Sequence, residues 1–126
     1  MEPSLFRVIL PVSDIEEAAA CYGRLLGIPG VRVWQNRHYF HCGGAILACV
    51  QPPETGELGR FAPNPQHIYF AVDDLQAVHR RAAAAGCRDV TDIERQAWGE
   101  RSFYAHDPFG NPICMVDSGT LFTGLE

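Results

Sequence analysis

The sequence predicts an α+β protein made of two tandem β-α-β-β-β modules. A strand, a capped helix and a glycine stop occur twice at nearly the same spacing, and short apolar segments separated by turn residues follow each copy. A proline-rich stretch lies between the copies. With 126 residues, 47% of them hydrophobic, the chain has the size of one ordinary domain and enough apolar side chains for a real core.

Residues Leu5 to Val12 form an apolar run that ends at Ser13-Asp14, a strand followed by a helix N-cap. Glu16 and Glu17 stand in the first turn, where the helix dipole favours carboxylates. Ile15, Ala18, Ala19, Tyr22, Leu25 and Leu26 then recur at helical spacing, and Gly27 supplies the left-handed stop. Three strands follow, at Val31 to Trp34, Arg37 to His41 and Ala45 to Val50, with Cys42-Gly43-Gly44 as a hairpin turn between the last two.

Four prolines and two glycines between Pro52 and Pro65 mark a linker. After it the pattern restarts. Gln66 to Val72 reads as a strand, Asp73-Asp74 as a cap, and Leu75, Val78, Ala82 and Ala85 as a helical face closed by Gly86. Arg88 to Arg95, Arg101 to His106 and Pro112 to Val116 read as three further strands. Asp107-Pro108-Phe109-Gly110-Asn111 joins the last two with the residues a type I turn prefers. Arg7 to Asp14 superposes on His67 to Asp74 with a single offset of 60 residues, which an internal duplication explains. The expected division is one domain over 1–126, with module one at about 5–51, a linker at 52–65 and module two at about 66–117.

Composition narrows the function classes. No stretch approaches the roughly 20 apolar residues of a membrane-spanning helix, and Met1-Glu2-Pro3-Ser4 does not resemble a signal segment, so a cytoplasmic protein without membrane contact is expected. The net charge is −5 and the basic residues are scattered arginines, which argues against a nucleic-acid partner. The chain contains no lysine, so Schiff-base chemistry is excluded and arginine must supply any anion contact. Five cysteines, without C-x-x-C spacing, read as reduced thiols.

Three stretches of the chain resemble recurring segments of the vicinal-oxygen-chelate superfamily, the glyoxalase, bleomycin-resistance and dioxygenase fold. They are Val12-Ser13-Asp14 through Tyr22-Gly23-Arg24-Leu25-Leu26-Gly27, His67 to Asp74, and Arg101 through Pro112, and the likeness runs from about Phe6 to Asp117. The resemblance implies that each module's strands curve into an open mixed sheet and that both modules surround a central cavity. Because that fold hosts lyases, isomerases, transferases, dioxygenases and drug-binding proteins, function has to be argued from the site.

Metal-dependent members place His or Gln near the start of each module's first strand and Glu on its last strand. Carried over to this chain, the resemblance puts Arg7 and His67 at the first-strand positions, Cys114 at the carboxylate position of module two, and Leu47 or Ala48 at that of module one. A guanidinium has no lone pair to give a cation, and one His with one Cys is at most half of a tetrahedral zinc site. No metal and no other cofactor is therefore expected.

Arg7 and His67, at equivalent positions, are expected to reach one cavity and hold a carboxylate, phosphate or enolate, unless each bonds a local carbonyl or carboxylate. Cys114 is either a nucleophile beside His67 or a small buried hydrophobe. Trp34, Tyr39, Trp98, Phe103 and Tyr104 are candidates for a pocket wall or for core. Arg101 shares a strand face with Phe103, and is a second anion contact if that face points inward or a solvated charge if it points out. His38 and His41, three apart in a strand, face opposite sides and read as surface positions. The apolar tail Thr120 to Leu125 is expected to dock on the sheet, on a neighbouring subunit or at the pocket mouth.

The expected function is small-molecule binding, with metal-independent lyase or isomerase chemistry on a small anionic or aromatic compound. His67 would serve as general acid or base and Arg7 would stabilise the anion. Two alternatives stand beside it: sequestration of a drug or metabolite without catalysis, and a glyoxalase-like lyase or dioxygenase that holds a metal through Gln66, His67 or other ligands. A homodimer is the expected assembly, since unpaired sheet edges and an apolar tail call for cover.

Overall fold

The computed structural model describes residues 2–53 and 61–125, so the middle of the expected linker, 54–60, lies outside the described residues. The chain divides into two compact units, Met1–Asn64 and Pro65–Glu126. Each has the same topology, as the duplicated sequence pattern requires.

In the first unit, β1 (Arg7–Pro11) runs parallel to β4 (Ala45–Val50), which pairs antiparallel with β3 (Arg37–Cys42), itself antiparallel to the edge strand β2 (Val31–Trp34). The sheet order is β1-β4-β3-β2. Helix α1 (Ile15–Leu26) starts where the Asp14 carboxylate accepts from the Glu17 amide at 3.1 Å and stops at Gly27 with φ 74°. The Gln51 side chain, just past β4, accepts from the otherwise orphaned Ile15 amide at 2.8 Å. Ile15, Ala18, Cys21, Tyr22 and Leu25 are buried on α1, and the Tyr22 ring lies 6.3 Å from Phe40 of β3. Leu10, Tyr22, Leu25 and Phe40 are fully buried, and each such side chain contributes about 1.5–3 kcal/mol of transfer free energy.

One histidine departs from its expected surface position. His38 does face away from His41, but it is buried at the helix side, where its Nε2 lies 2.9 Å from the Pro29 carbonyl and its Nδ1 accepts from Arg32 Nε at 3.4 Å. The carbonyl can only accept, so Nε2 carries the proton. Arg32 continues to Glu16 of α1 at 2.8 Å. Gly30 allows this approach: its φ is 65°, and a Cβ there would sit 2.7 Å from His38 Nε2.

In the second unit, β5 (Ile68–Val72) runs parallel to β8 (Pro112–Asp117), β8 is antiparallel to β7 (Arg101–His106), and the two-residue β6 (Glu94–Arg95) closes the order β5-β8-β7-β6. Helix α2 (Leu75–Ala85) is capped by Asp74 and ended by Gly86 with φ 110°. A short 3-10 turn (Ser118–Thr120) follows β8. The Asp107–Asn111 turn closes as expected, with the Gly110 amide 3.1 Å from the Asp107 carbonyl. Buried Asp107 also accepts from the Phe109 amide at 2.9 Å, the Asn111 amide at 2.8 Å and Asn111 Nδ2 at 2.9 Å.

The expected strand from Arg88 to Arg95 is corrected to β6 and a single bridge, Arg88 to His106. Asp89 takes a left-handed φ of 53° and interrupts extension directly after that bridge. Thr91 keeps contact with β7 through its amide, which donates to the Tyr104 carbonyl, and its hydroxyl oxygen, which accepts from the Tyr104 amide. Among the described residues no helix is long and apolar enough to cross a membrane.

Candidate functional site

The first unit's sheet has a helix face and an open face, and strand alternation decides which residues lie on each. His38 and Phe40 belong to the helix face, so Arg37, Tyr39 and His41 belong to the other. The register pairs Ala48 with both Ile9 and Tyr39, and Ile46 with Arg7, which puts Arg7, Ile9, Ile46 and Ala48 on the open face as well. Leu47 is on the helix face. The residue matching the family's carboxylate position is therefore Ala48, the register counterpart of Cys114, which pairs with Tyr69 just as Ala48 pairs with Ile9.

Trp34 reaches this face through an irregularity. The β2–β3 register steps from Arg32–His38 to Trp34–Arg37, so Val33 is an extra residue. Regular alternation would send Trp34 the same way as Arg32, toward the helix. The bulge turns it to the side of Arg37, a re-aiming that bulges commonly perform beside functional sites. Val33, Trp34, Arg37 and Tyr39 line an open pocket of about 360 Å³. A second groove of about 430 Å³ shares Trp34 and is otherwise lined by Gln35, Asn36, Gln51, Pro52 and Pro53.

Two guanidiniums, one of them from outside the pocket lining, converge on the phenol of Tyr39. Arg7 Nη1 donates to the Tyr39 hydroxyl at 3.1 Å and Arg37 Nη1 donates to the same oxygen at 3.3 Å. The Arg7 guanidinium also stands 5.7 Å from the Tyr39 ring centre and 5.1 Å from that of Phe6. The hydrogen bond from Arg37, aided by the charge and bond of Arg7 and opposed by partial burial, holds the Tyr39 hydroxyl below the usual tyrosine range. Arg37 was not among the sequence candidates. Its signal was present, since it lies two residues before Tyr39 in one strand and must share its face.

The open face of the second unit is built by the same register. His67, one residue before β5, lies 5.0 Å from the Tyr104 ring in an edge-on arrangement and 6.2 Å from the Tyr69 ring. Cys114 is opposite Tyr104 and beside Tyr69. Its thiol is buried and hydrogen-bonded to Ser102 and Tyr104, and burial, the dominant cause, pushes it up to about 11. As a nucleophile or presented ligand contact Cys114 is thus corrected: at neutral pH it is a protonated, enclosed thiol. Tyr104 is also raised, first by burial and then by its neighbours Cys114 and Tyr69.

Two further candidates turn away from ligand contact. Phe103 is 1% exposed and packs edge-on against His79 of α2 at 4.8 Å, so it is core and not a pocket wall. Arg101 shares that face, as alternation requires, but its Nη1 is bound to Asp117 Oδ2 at 2.8 Å, so it is neither a free anion contact nor a solvated charge. Trp98 is 48% exposed, and its indole donates to Glu100 Oε1 at 2.7 Å. The other Glu100 oxygen accepts from the Phe122 amide at 2.9 Å, and the Thr120 hydroxyl accepts from the Arg101 amide at 3.1 Å, which fastens the start of the tail to the beginning of β7.

A sequence profile of the Glyoxalase/Bleomycin resistance protein/Dioxygenase superfamily matches residues 4–115. The chain belongs to this superfamily. A glyoxalase/bleomycin resistance protein from Albidiferax ferrireducens T118 superposes with a TM-score of 0.75 and 25% identity, over 90% of this chain and 98% of that one. A bleomycin-binding protein solved with bleomycin has a similar fold, with a TM-score of 0.66 and 21% identity over 92% and 98% of the two chains. "Putative glyoxylase CFP32" of Mycobacterium bovis is 36% identical over 80 residues, which are 60% of this chain but 29% of that protein. The chain thus spans well under two thirds of the length of the curated relatives it matches.

In this superfamily member two of the four residues at the family's metal positions cannot donate to a cation. Arg7 and the Ala48 methyl group have no lone pair to give a cation, which leaves only the His67 imidazole and the Cys114 sulfur as donors, with no carboxylate among the four residues. Among the described residues no three His, Cys, Asp or Glu side chains gather into a metal-holding group.

Proposed function

We propose that this superfamily member binds a small anionic compound with an aromatic or otherwise planar body, on the open face that carries Arg7, Trp34, Arg37 and Tyr39. The observation that carries the reading is the convergence of two guanidiniums on the Tyr39 hydroxyl beside the exposed Trp34 indole. The guanidiniums use one N–H each on Tyr39, and the rest of each planar fork remains to meet carboxylate, enolate or phosphate oxygens. Trp34, 71% exposed and turned to this side by a bulge, offers a flat apolar surface for the ligand's body. The bleomycin complex of a fold relative supports small-molecule binding as a use of this fold.

Acid–base chemistry at His67 is the second reading. His67 is half-buried on an open face and has the Tyr104 ring edge-on beside it, a setting in which an imidazole can meet a ligand proton.

The binding reading is tested with benzoate and its neutral counterpart benzamide, followed by NMR and calorimetry. Benzoate is expected to bind more tightly and to shift the resonances of Trp34 and Tyr39. Arg7→Ala and Arg37→Ala are each expected to lose about tenfold in affinity, as for a charge-assisted contact. Equal binding of the two compounds, or arginine variants that hold benzoate as well as the wild type, would refute it.

A further inference from the structure

We propose that Tyr39 is the acid of this site, with its single hydroxyl proton directed to an oxygen of the bound anion. The inference rests on the binding reading above and adds a chemical demand on the ligand: it must present an anionic oxygen that accepts a hydrogen bond from the phenol, as a carboxylate does, and only an oxygen about as basic as a phenolate, as in an enolate or aryloxide, can take the proton itself.

The geometry follows from counting lone pairs. A phenolic oxygen has one proton to give and limited capacity to accept. Here that capacity is taken by Arg7 Nη1 at 3.1 Å and Arg37 Nη1 at 3.3 Å, and neither guanidinium can accept a proton in return. The O–H bond must point away from both, toward the open pocket lined by Val33, Trp34, Arg37 and Tyr39 itself. Among the described residues of this unit, the charged or titratable side chains on the same sheet face in β1 and β3 are Arg7, Arg37 and His41. The flanking positions, Val31 of β2 and Ala48 of β4, carry no charge. Among the described residues of these strands no carboxylate shares this face to compete for the proton, and both bonded neighbours are cations that favour the tyrosinate once the proton has left. With a carboxylate such as benzoate the proton stays on Tyr39 as a donated hydrogen bond; with an enolate or aryloxide, the Tyr39 O–H bond breaks as the ligand O–H bond forms, and the negative charge passes from the ligand oxygen to a tyrosinate held between two guanidiniums.

Two measurements test this. Ultraviolet titration of tyrosinate absorbance is made on the wild type, Tyr39→Phe and Arg37→Ala. The wild type, with four tyrosines, is expected to show one ionisation step below the ordinary tyrosine value of about 10. Tyr39→Phe is expected to abolish that step and Arg37→Ala to move it upward. Benzoate affinity is then followed across the same pH range. It is expected to fall about tenfold as Tyr39 ionises, because a charge-assisted donor is lost, and to stay flat in Tyr39→Phe. A low step that survives in Tyr39→Phe, or benzoate binding that ignores pH through it, overturns the proposal and leaves the binding reading intact. Failure of the wild type to bind benzoate at any pH overturns both.

Discussion

Replacing two aromatic side chains, Phe103 and Trp34, separates core from site, because the structure puts them in opposite roles. Phe103 is 1% exposed, pairs with Met115 across β7 and β8, and meets His79 of α2 edge-on at 4.8 Å. Phe103→Ala removes nearly a whole ring from a closed space, so it loses both the transfer free energy and the contacts around the cavity. The usual cost is about 3–5 kcal/mol, of which the edge-on aromatic pair supplies about 0.5–1.5 kcal/mol. Against a total stability of about 5–15 kcal/mol such a loss shows as a large shift in urea midpoint. Trp34 is 71% exposed, so Trp34→Ala is expected to change stability by less than about 0.5 kcal/mol while weakening benzoate. Equilibrium urea unfolding followed by circular dichroism measures both. If Trp34→Ala costs as much as Phe103→Ala, or Phe103→Ala costs under about 1 kcal/mol, the assignment of faces is wrong.

Asp107→Ala leaves the Phe109 and Asn111 amides and Asn111 Nδ2 without their common buried acceptor. A loss of at least about 3 kcal/mol in unfolding free energy is expected, the lower end for three buried donors left unpaired at about 1–3 kcal/mol each, and an unchanged urea midpoint would contradict it. Cys114 is expected to resist a thiol reagent in the folded protein at pH 7–8, with mass mapping showing modification only after unfolding, since its thiolate forms only as pH nears about 11. The folded state holds that proton more tightly than the unfolded chain, so this contribution to stability is complete below the unfolded value near 9 and is lost as pH rises through about 11. Rapid labelling of native Cys114 at pH 7 would count against its burial. Light scattering is expected to show a homodimer, with Leu5, Phe6 and Phe122 among the exposed apolar side chains that a partner would cover. A monomer at tens of micromolar, a roughly ordinary working range for interfaces of standard size, would argue against it.

Local chemistry was enough to read the framework from the chain. Asp14 and Asp74 cap their helices, Gly27 and Gly86 end them in the left-handed region, and the repeat at an offset of 60 residues appears as two sheets of identical strand order. These signals act over a few residues, so sequence neighbours suffice to specify them. The superfamily was legible for the same reason: its segments follow the caps, stops and turns. The strand expected at Arg88 to Arg95 is interrupted at Asp89, a residue type that tolerates the left-handed region but does not by itself announce it.

What the side chains do depended on pairing across strands, which no sequence interval states. Whether Leu47 or Ala48 corresponds to Cys114 was settled by register with β1 and β3. Alternation alone correctly put Arg101 and Phe103 on one face but could not say that α2 covers it, or that Asp117 waits opposite Arg101. The bulge at Val33 likewise reverses the side on which Trp34 emerges, and Arg37 becomes part of the site only because Arg7, thirty residues earlier in the chain, reaches the same Tyr39 oxygen. Sequence specifies which elements form because their signals are local. The site is decided by long-range register, in which a shift of one residue exchanges the faces of an entire strand.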